Sequence, residues 1–194
     1  MNVNTIYHKN QKQLEDEVVK VKKAQQDPAY FGPIYSENYE RIFRYVHQRV
    51  LDEHTAADIT SQIFIKALNN IHKFEYKGVP FSSWLYRIAK SEVYQSFRDK
   101  KNERVVNVDS YQIMDVIEEI NEDVTKNYKS VLIESISQLR EKDMMLIEMR
   151  FFEKRSFREI GEIVEITENN AKVKTFRALE KLKQIFNKNK ESLD

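Results

Sequence analysis

The stretch that decides the fold is Ser156-Phe-Arg-Glu-Ile-Gly-Glu-Ile-Val-Glu-Ile-Thr-Glu-Asn-Asn-Ala-Lys-Val-Lys-Thr-Phe-Arg-Ala-Leu-Glu-Lys-Leu182. It opens with Ser156 and Glu159, three apart, the spacing of a capping box at a helix start. Phe157, Ile160, Ile163 and Val164 then recur at helical spacing and predict a short helix with one apolar face. Gly161 lies on it, so another helix is expected to approach closely there. Glu165-Ile166-Thr167 predicts a tight turn, with Thr167 as N-cap of a second helix. That helix is expected to bury Ala171, Thr175, Ala178 and Leu182, spaced by four, three and four. Its other side carries Asn169, Asn170, Lys172, Val173, Lys174 and Arg177. Asn pairs with adenine edges, and Lys or Arg with guanine edges, in a major groove. A short helix, a tight turn and a second helix with a polar, basic N-terminal half make the helix-turn-helix plan. The opposing reading of the same residues is an ordinary helical hairpin with a solvated basic face.

The rest of the chain extends the helical pattern. Of 194 residues only 3 are glycine and 3 proline, and 32% are charged. So few breakers with so much Glu, Lys and Arg predict an all-α protein. After Pro80 there is no proline, and Gly161 is the only glycine. A first helix carrying Leu14, Val18, Val21 and Ala24 is expected to end at Pro28–Pro33. A second starts near Ser36, with the stripe Tyr35, Tyr39, Ile42, Phe43, Val46 and Val50 facing the core. A third runs from about Thr55 to Ile71 on Ile59, Ile63, Ala67 and Ile71. Gly78 and Pro80 make His72–Ser82 a loop, and Ser82 or Ser83 is the expected N-cap of a fourth helix. Phe81, Leu85, Ile88, Ala89 and Phe97 form that helix's core side. Trp84, Arg87, Ser91, Tyr94 and Arg98 step along another side, with Lys90, Lys100, Lys101 and Arg104 nearby. A basic face interleaved with aromatics suits phosphates and unpaired bases; a solvated helix face is the plainer reading.

Charge is unevenly spread. Between Ala171 and Lys190 there are seven basic residues and one acid, Glu180. Between Val105 and Ser135 there are seven acids against Lys126 and Lys129. A basic end and an acidic middle suggest separate partners for separate segments. The expected organisation is an N-terminal helix or arm over 1–27, a helical domain over 28–104, an acidic linker over 105–127 and a helix-turn-helix domain over 128–194. Ile113, Val116, Ile117, Ile120 and Val124 allow a short amphipathic helix within the linker.

Several functions are disfavoured. There is no cysteine, so no disulfide framework, thiol nucleophile or Cys-ligated zinc, in keeping with a reducing cytoplasm. Met1–Asp16 has no apolar core of signal-peptide type, and no stretch reaches the ~18 apolar residues of a membrane span. A cytoplasmic protein without membrane insertion is expected. Asp52-Glu-His54 with Asp58 is the one candidate catalytic cluster, and it lacks His-Glu-x-x-His spacing. No Gly-rich phosphate loop exists. No catalytic residue, metal ligand or cofactor is expected.

Taken in order, these segments resemble a bacterial RNA polymerase sigma factor of the extracytoplasmic-function class. The resemblance runs from about Ala24 to Phe186. Ala56-Ala-Asp-Ile-Thr-Ser-Gln-Ile-Phe-Ile-Lys-Ala-Leu68 is similar to the segment that grips the polymerase clamp. Phe81-Ser-Ser-Trp-Leu-Tyr-Arg-Ile-Ala-Lys90 is similar to the segment that melts and reads the minus-ten element. Leu139–Arg150, Ser156–Val164, Asn170–Lys174 and Arg177–Leu182 resemble the minus-thirty-five reader. The sequence departs from the family at Arg140, where Leu is usually followed by Pro, and at Lys154, where glycine is usual; the glycine common in a helix-turn-helix turn is replaced by Glu165. Gln62 and Gln95 stand where acids are expected.

The resemblance implies a sigma factor that binds core RNA polymerase and promoter DNA, with an anti-sigma factor as a further partner to consider. It implies that Asp58, Ser61, Gln62, Ile65 and Lys66 contact the core enzyme. It implies that the loop His72–Tyr76, with His72, Lys73 and Phe74, cradles an extruded base. Trp84, Arg87, Tyr94 and Arg98 would hold the opened strand, while the acidic linker threads the polymerase's basic RNA-exit path. The main alternative is a helix-turn-helix regulator that does not bind core polymerase; it has no need of the face from Trp84 to Arg98. An enzyme and a helical adaptor are the remaining alternatives.

Overall fold

The computed structural model describes residues 9–50, 52–100, 115–116 and 129–191. They divide into two compact units whose main boundary falls between Arg104 and Val105. Among the described residues every regular element is helical. No described helix is long and apolar enough to cross a membrane.

The first unit holds α1 (Gln11–Gln26), α2 (Gly32–Val50), α3 (Glu53–Asn70) and α4 (Phe81–Lys100), with 3-10 turns at Pro28–Phe31 and Ile71–Lys73. Asn10 and Gln13 form a capping box that starts α1. Asp27 caps the proline turn after it by accepting from the Ala29 amide. Asp52 starts α3 by accepting from the Thr55 amide at 2.7 Å. The expected α3 stripe is buried in full: Ile59, Ile63, Ala67 and Ile71 are all at most 5% exposed. They pack with Ile42, Val46, Leu85, Ala89 and Val93 into the core between α2, α3 and α4.

Four expectations need correction in this unit. First, the buried stripe of α2 is Ile34, Asn38, Ile42, Tyr45, Val46 and Arg49. The Arg49 guanidinium lies 3.5 Å from the Tyr45 ring centroid, and Tyr45 meets Tyr86 edge-on at 5.0 Å. Tyr35, Tyr39, Phe43 and His47 instead run ring against ring along the adjacent face, with Phe64 of α3 against the tyrosines. Aromatic rings four apart satisfy one another there, so this row need not be the core seam. Second, Ser82 and Ser83 do not cap α4. The helix begins at Phe81 and both serines are buried inside its first turn. Third, on α4 the fully buried positions include Tyr86 and Val93, while Ile88 and Phe97 are only half-buried. Fourth, α1 packs within the first unit rather than standing apart from it as an arm. Val21 and Ala24 of α1 are buried, and α1 bonds to both ends of the loop before α4.

The chain beyond residue 128 forms α5 (Lys129–Ser137), α6 (Glu141–Ile147), a π-turn at Glu148–Phe152, α7 (Phe157–Val164) and α8 (Glu168–Glu191), of which all but Glu162–Glu165 fall in the second unit. α8 packs on α5 and α6, tied by Asn189 to Ser135 at 2.9 Å and by Lys181 to Asp143 at 2.6 Å. Arg140 precedes α6 with φ −60°, a torsion that a proline would also adopt. The expected amphipathic helix over Ile113–Val124 lies outside the described residues except at its start. There Val116 is fully buried and Asp115 is ion-paired with Lys154.

Candidate nucleic-acid and polymerase interfaces

The helix-turn-helix is held by local chemistry. The Ser156 amide donates to Glu159 Oε2 at 2.9 Å, and the Glu159 amide to Ser156 Oγ at 3.2 Å, completing the capping box. Glu159 also accepts from the fully buried Arg155 at 3.0 Å. The turn then closes tightly. The Ile166 amide donates to the Gly161 carbonyl at 2.9 Å, and the Asn170 amide to Thr167 Oγ1 at 3.3 Å. Gly161 is close to this turn rather than to a separate helix. A Cβ there would lie 2.7 Å from the Ile166 carbonyl oxygen and 3.3 Å from the Glu168 nitrogen.

Two positions flanking α7 adopt left-handed backbone without being glycine. Glu165 has φ 60° and Lys154 has φ 52°. Glycine is the usual residue for such a torsion, so the backbone path expected at these positions is kept although the residue is changed. Such a torsion costs roughly 1–2 kcal/mol for a residue with a Cβ, and the capping and core contacts on either side maintain it.

On α8 the inner residues Ala171, Thr175, Ala178 and Leu182 are at most 2% exposed. Thr175 spends its hydroxyl on the Ala171 carbonyl at 2.8 Å. Asn169, Asn170, Lys172, Val173, Lys174 and Arg177 are all exposed. One member of this face escaped the sequence reading. Phe176 is 42% exposed and its ring sits 6.0 Å from that of Phe157, over which Arg150 lies at 4.7 Å. Val173 and Phe176 give the outer face apolar side chains of the kind that meet a thymine methyl. A phenylalanine at helical spacing reads as core, which is why the sequence alone does not single it out.

In the first unit, the loop before α4 and the start of α4 are joined by three aromatic rings. Phe74 meets Phe81 at 4.9 Å and Trp84 at 5.6 Å, and Phe81 meets Trp84 at 5.3 Å. Phe81 is buried, whereas Phe74 and Trp84 are half-buried and keep part of their rings at the surface. Lys73, Glu75, Lys77 and Arg87 bring both signs of charge to the surface around these rings. Exposed Lys73 reaches Asn70 Oδ1 at 2.9 Å, and His72 is exposed beside it. Further along α4, Tyr94 is half-buried and Arg98 is exposed, donating to Gln95 at 2.7 Å. The structure thus gathers His72, Lys73, Phe74, Trp84 and Arg87 at the loop end of α4, with Tyr94 and Arg98 further along the same helix. Lys101 and Arg104 lie outside the described residues, as does the side chain of Lys100.

The outward side of α3 presents Asp58, Ser61, Gln62, Ile65 and Lys66, all exposed. Ile65, 58% exposed, is the most exposed of the large apolar side chains among the described residues. Lys66 is not an isolated charge: its ammonium meets both oxygens of the buried Glu92 of α4 at 2.6 Å. Among the described residues no three His, Asp or Glu side chains cluster as a metal site would require.

Comparisons with known proteins agree with this geometry. The family model for sigma-70 region 2 matches residues 34–103, and that for sigma-70 region 4 matches residues 135–184. The ECF RNA polymerase sigma factor BldN of Streptomyces coelicolor is 27% identical over 158 residues, 80% of this chain and 60% of BldN. The ECF RNA polymerase sigma factor SigW of Bacillus subtilis is 26% identical over 181 residues, 88% of this chain and 95% of SigW. Among solved structures, CnrH in complex with the cytosolic domain of CnrY superimposes with a TM-score of 0.60 at 13% identity. It covers 88% of this chain and 97% of CnrH, a likeness of fold. With both region models matched in this order and relatives along most of its length, the chain belongs to the sigma-70 factors of the extracytoplasmic-function class, which direct promoter-specific transcription.

Proposed function

We propose that the chain divides its work among three surfaces. The outward side of α3, with Asp58, Ser61, Gln62, Ile65 and Lys66, docks on core RNA polymerase. The loop His72–Tyr76 and the Trp84–Arg98 face of α4 hold the opened minus-ten strand by stacking and phosphate contacts. Residues 169–177 of α8 read the minus-thirty-five element in the major groove. The factor acts in the cytoplasm, carries no catalytic activity, and is open to control by an anti-sigma factor. CnrH, which shares the fold, was solved with the cytosolic domain of CnrY.

The observation that carries the reading is the Phe74–Phe81–Trp84 cluster beside Lys73 and Arg87. It anchors a half-buried tryptophan and a phenylalanine beside Lys73 and Arg87, where a base lifted from the stack finds an aromatic surface. A regulator that reads duplex DNA alone has no use for it. Extruding a base costs a few kcal/mol, and stacking returns ~1–3 kcal/mol per base. The test is a titration of core polymerase with the chain and with Asp58→Lys. Asp58 is exposed, opposite the buried stripe of α3, so the change costs within about 0.5 kcal/mol of folding stability. Weaker binding at unchanged helicity supports the docking surface; unchanged affinity removes it.

A further inference from the structure

The N-terminal helix bonds to the loop at two places, and nothing in the three surfaces above uses it. Gln25 Nε2 donates to the carbonyl of Ile71 at 3.0 Å and to that of Phe74 at 2.9 Å. A side-chain amide nitrogen has two N–H groups, so both are spent on this loop. Two turns earlier on α1, Glu17 Oε2 accepts from the Phe81 amide at 2.9 Å. The first α4 amides have no partner within their own helix, and a carboxylate there also meets the positive end of the helix dipole. Glu17 is itself buried and ion-paired with Lys9. One helix therefore grips the loop at Ile71 and Phe74 and the first residue of α4 beyond it. Between those grips lies the chain segment whose Phe74 ring packs on Phe81 and Trp84.

We infer that α1 is a positioning element of the melting module and that Gln25 sets its specificity: by holding the Ile71 and Phe74 carbonyls it fixes the loop that meets the extruded base. The inference rests on the reading of that loop as the base cradle. Gln25 touches no nucleic acid in this account; it acts through the loop. Its chemistry is demanding. Asparagine is one methylene short. Glutamate has the same length and no donor, and sets a negative charge against two carbonyl oxygens. Leucine keeps the bulk and loses both bonds.

The experiment uses the full chain with core polymerase on a promoter library randomised through the minus-ten element, with transcripts sequenced. Four variants are compared: Gln25→Leu, Gln25→Glu, Phe74→Ala and Lys73→Ala. Hydrogen exchange of residues 71–76 in the free protein runs alongside. Both Gln25 variants are expected to relax base preference at the position that the loop variants also change. Exchange over 71–76 should quicken about tenfold, on the scale of one or two lost hydrogen bonds, with α3 between Ala56 and Ala67 unchanged. A merely structural role lowers the active fraction and leaves the preferred bases as they were. If the loop variants shift preference and both Gln25 variants retain the parent's, the inference fails and the cradle stands. If no loop variant shifts preference, cradle and inference fall together. Where a Gln25 variant yields too little transcript to sequence, unchanged exchange over 71–76 overturns the inference.

Discussion

The Glu17 carboxylate on α1 accepts a hydrogen bond from the backbone amide of Phe81, sixty-four residues along the chain, and thereby caps α4 from outside it. The pairing binds α1 to the start of α4. Removing the acceptor leaves a buried amide without a partner, which costs about 1–3 kcal/mol. Glu17→Leu is therefore expected to lower the unfolding midpoint of this unit, while Asp16→Ala, on the exposed side of α1, leaves it within error. Denaturant unfolding followed by Trp84 fluorescence checks this, since the only tryptophan lies beside Phe81. An equal response from the two variants would show that the cap contributes nothing.

Gly161 makes the sharpest steric prediction. A methyl group there would stand 2.7 Å from the Ile166 carbonyl oxygen, inside the distance that Cβ atoms tolerate from backbone. Gly161→Ala should destabilise the second unit by about 1–3 kcal/mol, the usual cost of overpacking. Because the strain falls on the turn, binding to upstream duplex should weaken more than binding to core polymerase. A variant with parental stability would mean that the turn is looser than described.

The left-handed residues predict the opposite sign. Glu165 at φ 60° carries strain that glycine does not feel. Glu165→Gly relieves on the order of 1 kcal/mol, less what glycine's wider freedom in the unfolded chain takes back. Lys154→Gly relieves a torsion of the same kind and also deletes the ion pair with Asp115. Chemical unfolding of both variants beside the parent tests the sign of the torsional contribution. A fall in stability for Glu165→Gly would contradict the assigned backbone.

What the sequence revealed follows the range of each interaction. Ser156 and Glu159 are three apart, so their capping box is written locally and forms as read. The α3 stripe and the inner residues of α8 follow simple periodicity and are buried. The face of α2 was misread by about one step, because Tyr35, Tyr39 and Phe43 are apolar enough to imitate a core seam while stacking on one another. The cap of α4 was assigned to Ser82 or Ser83, since the actual acceptor, Glu17, is remote in sequence. Gln25 was invisible for the same reason. Lys66 carried no mark of its partner Glu92, twenty-six residues away. Phe176 was passed over because hydrophobicity alone does not tell an outward ring from an inward one.

On α8, Lys174 and Arg177 are exposed and one turn apart. On the proposed reading Lys174, nearer the helix N-terminus, would reach base edges, and Arg177 would sit where the groove curves away. Lys174→Ala should change which upstream sequences are preferred, at ~1–3 kcal/mol of discrimination. Arg177→Ala should weaken all of them alike and reduce the salt slope by about one. Selection on randomised upstream DNA, with a salt titration of each variant, separates the two roles. If neither variant alters preference or affinity, the motif is a packing hairpin.

The most direct measurement is run-off transcription with core RNA polymerase from the source bacterium, with and without the chain, on its genomic promoters. The account predicts defined transcripts that start only when the chain is present, with strand opening at the minus-ten element detected by permanganate on the non-template strand. Duplex binding without core-dependent initiation would contradict it and leave a helix-turn-helix regulator.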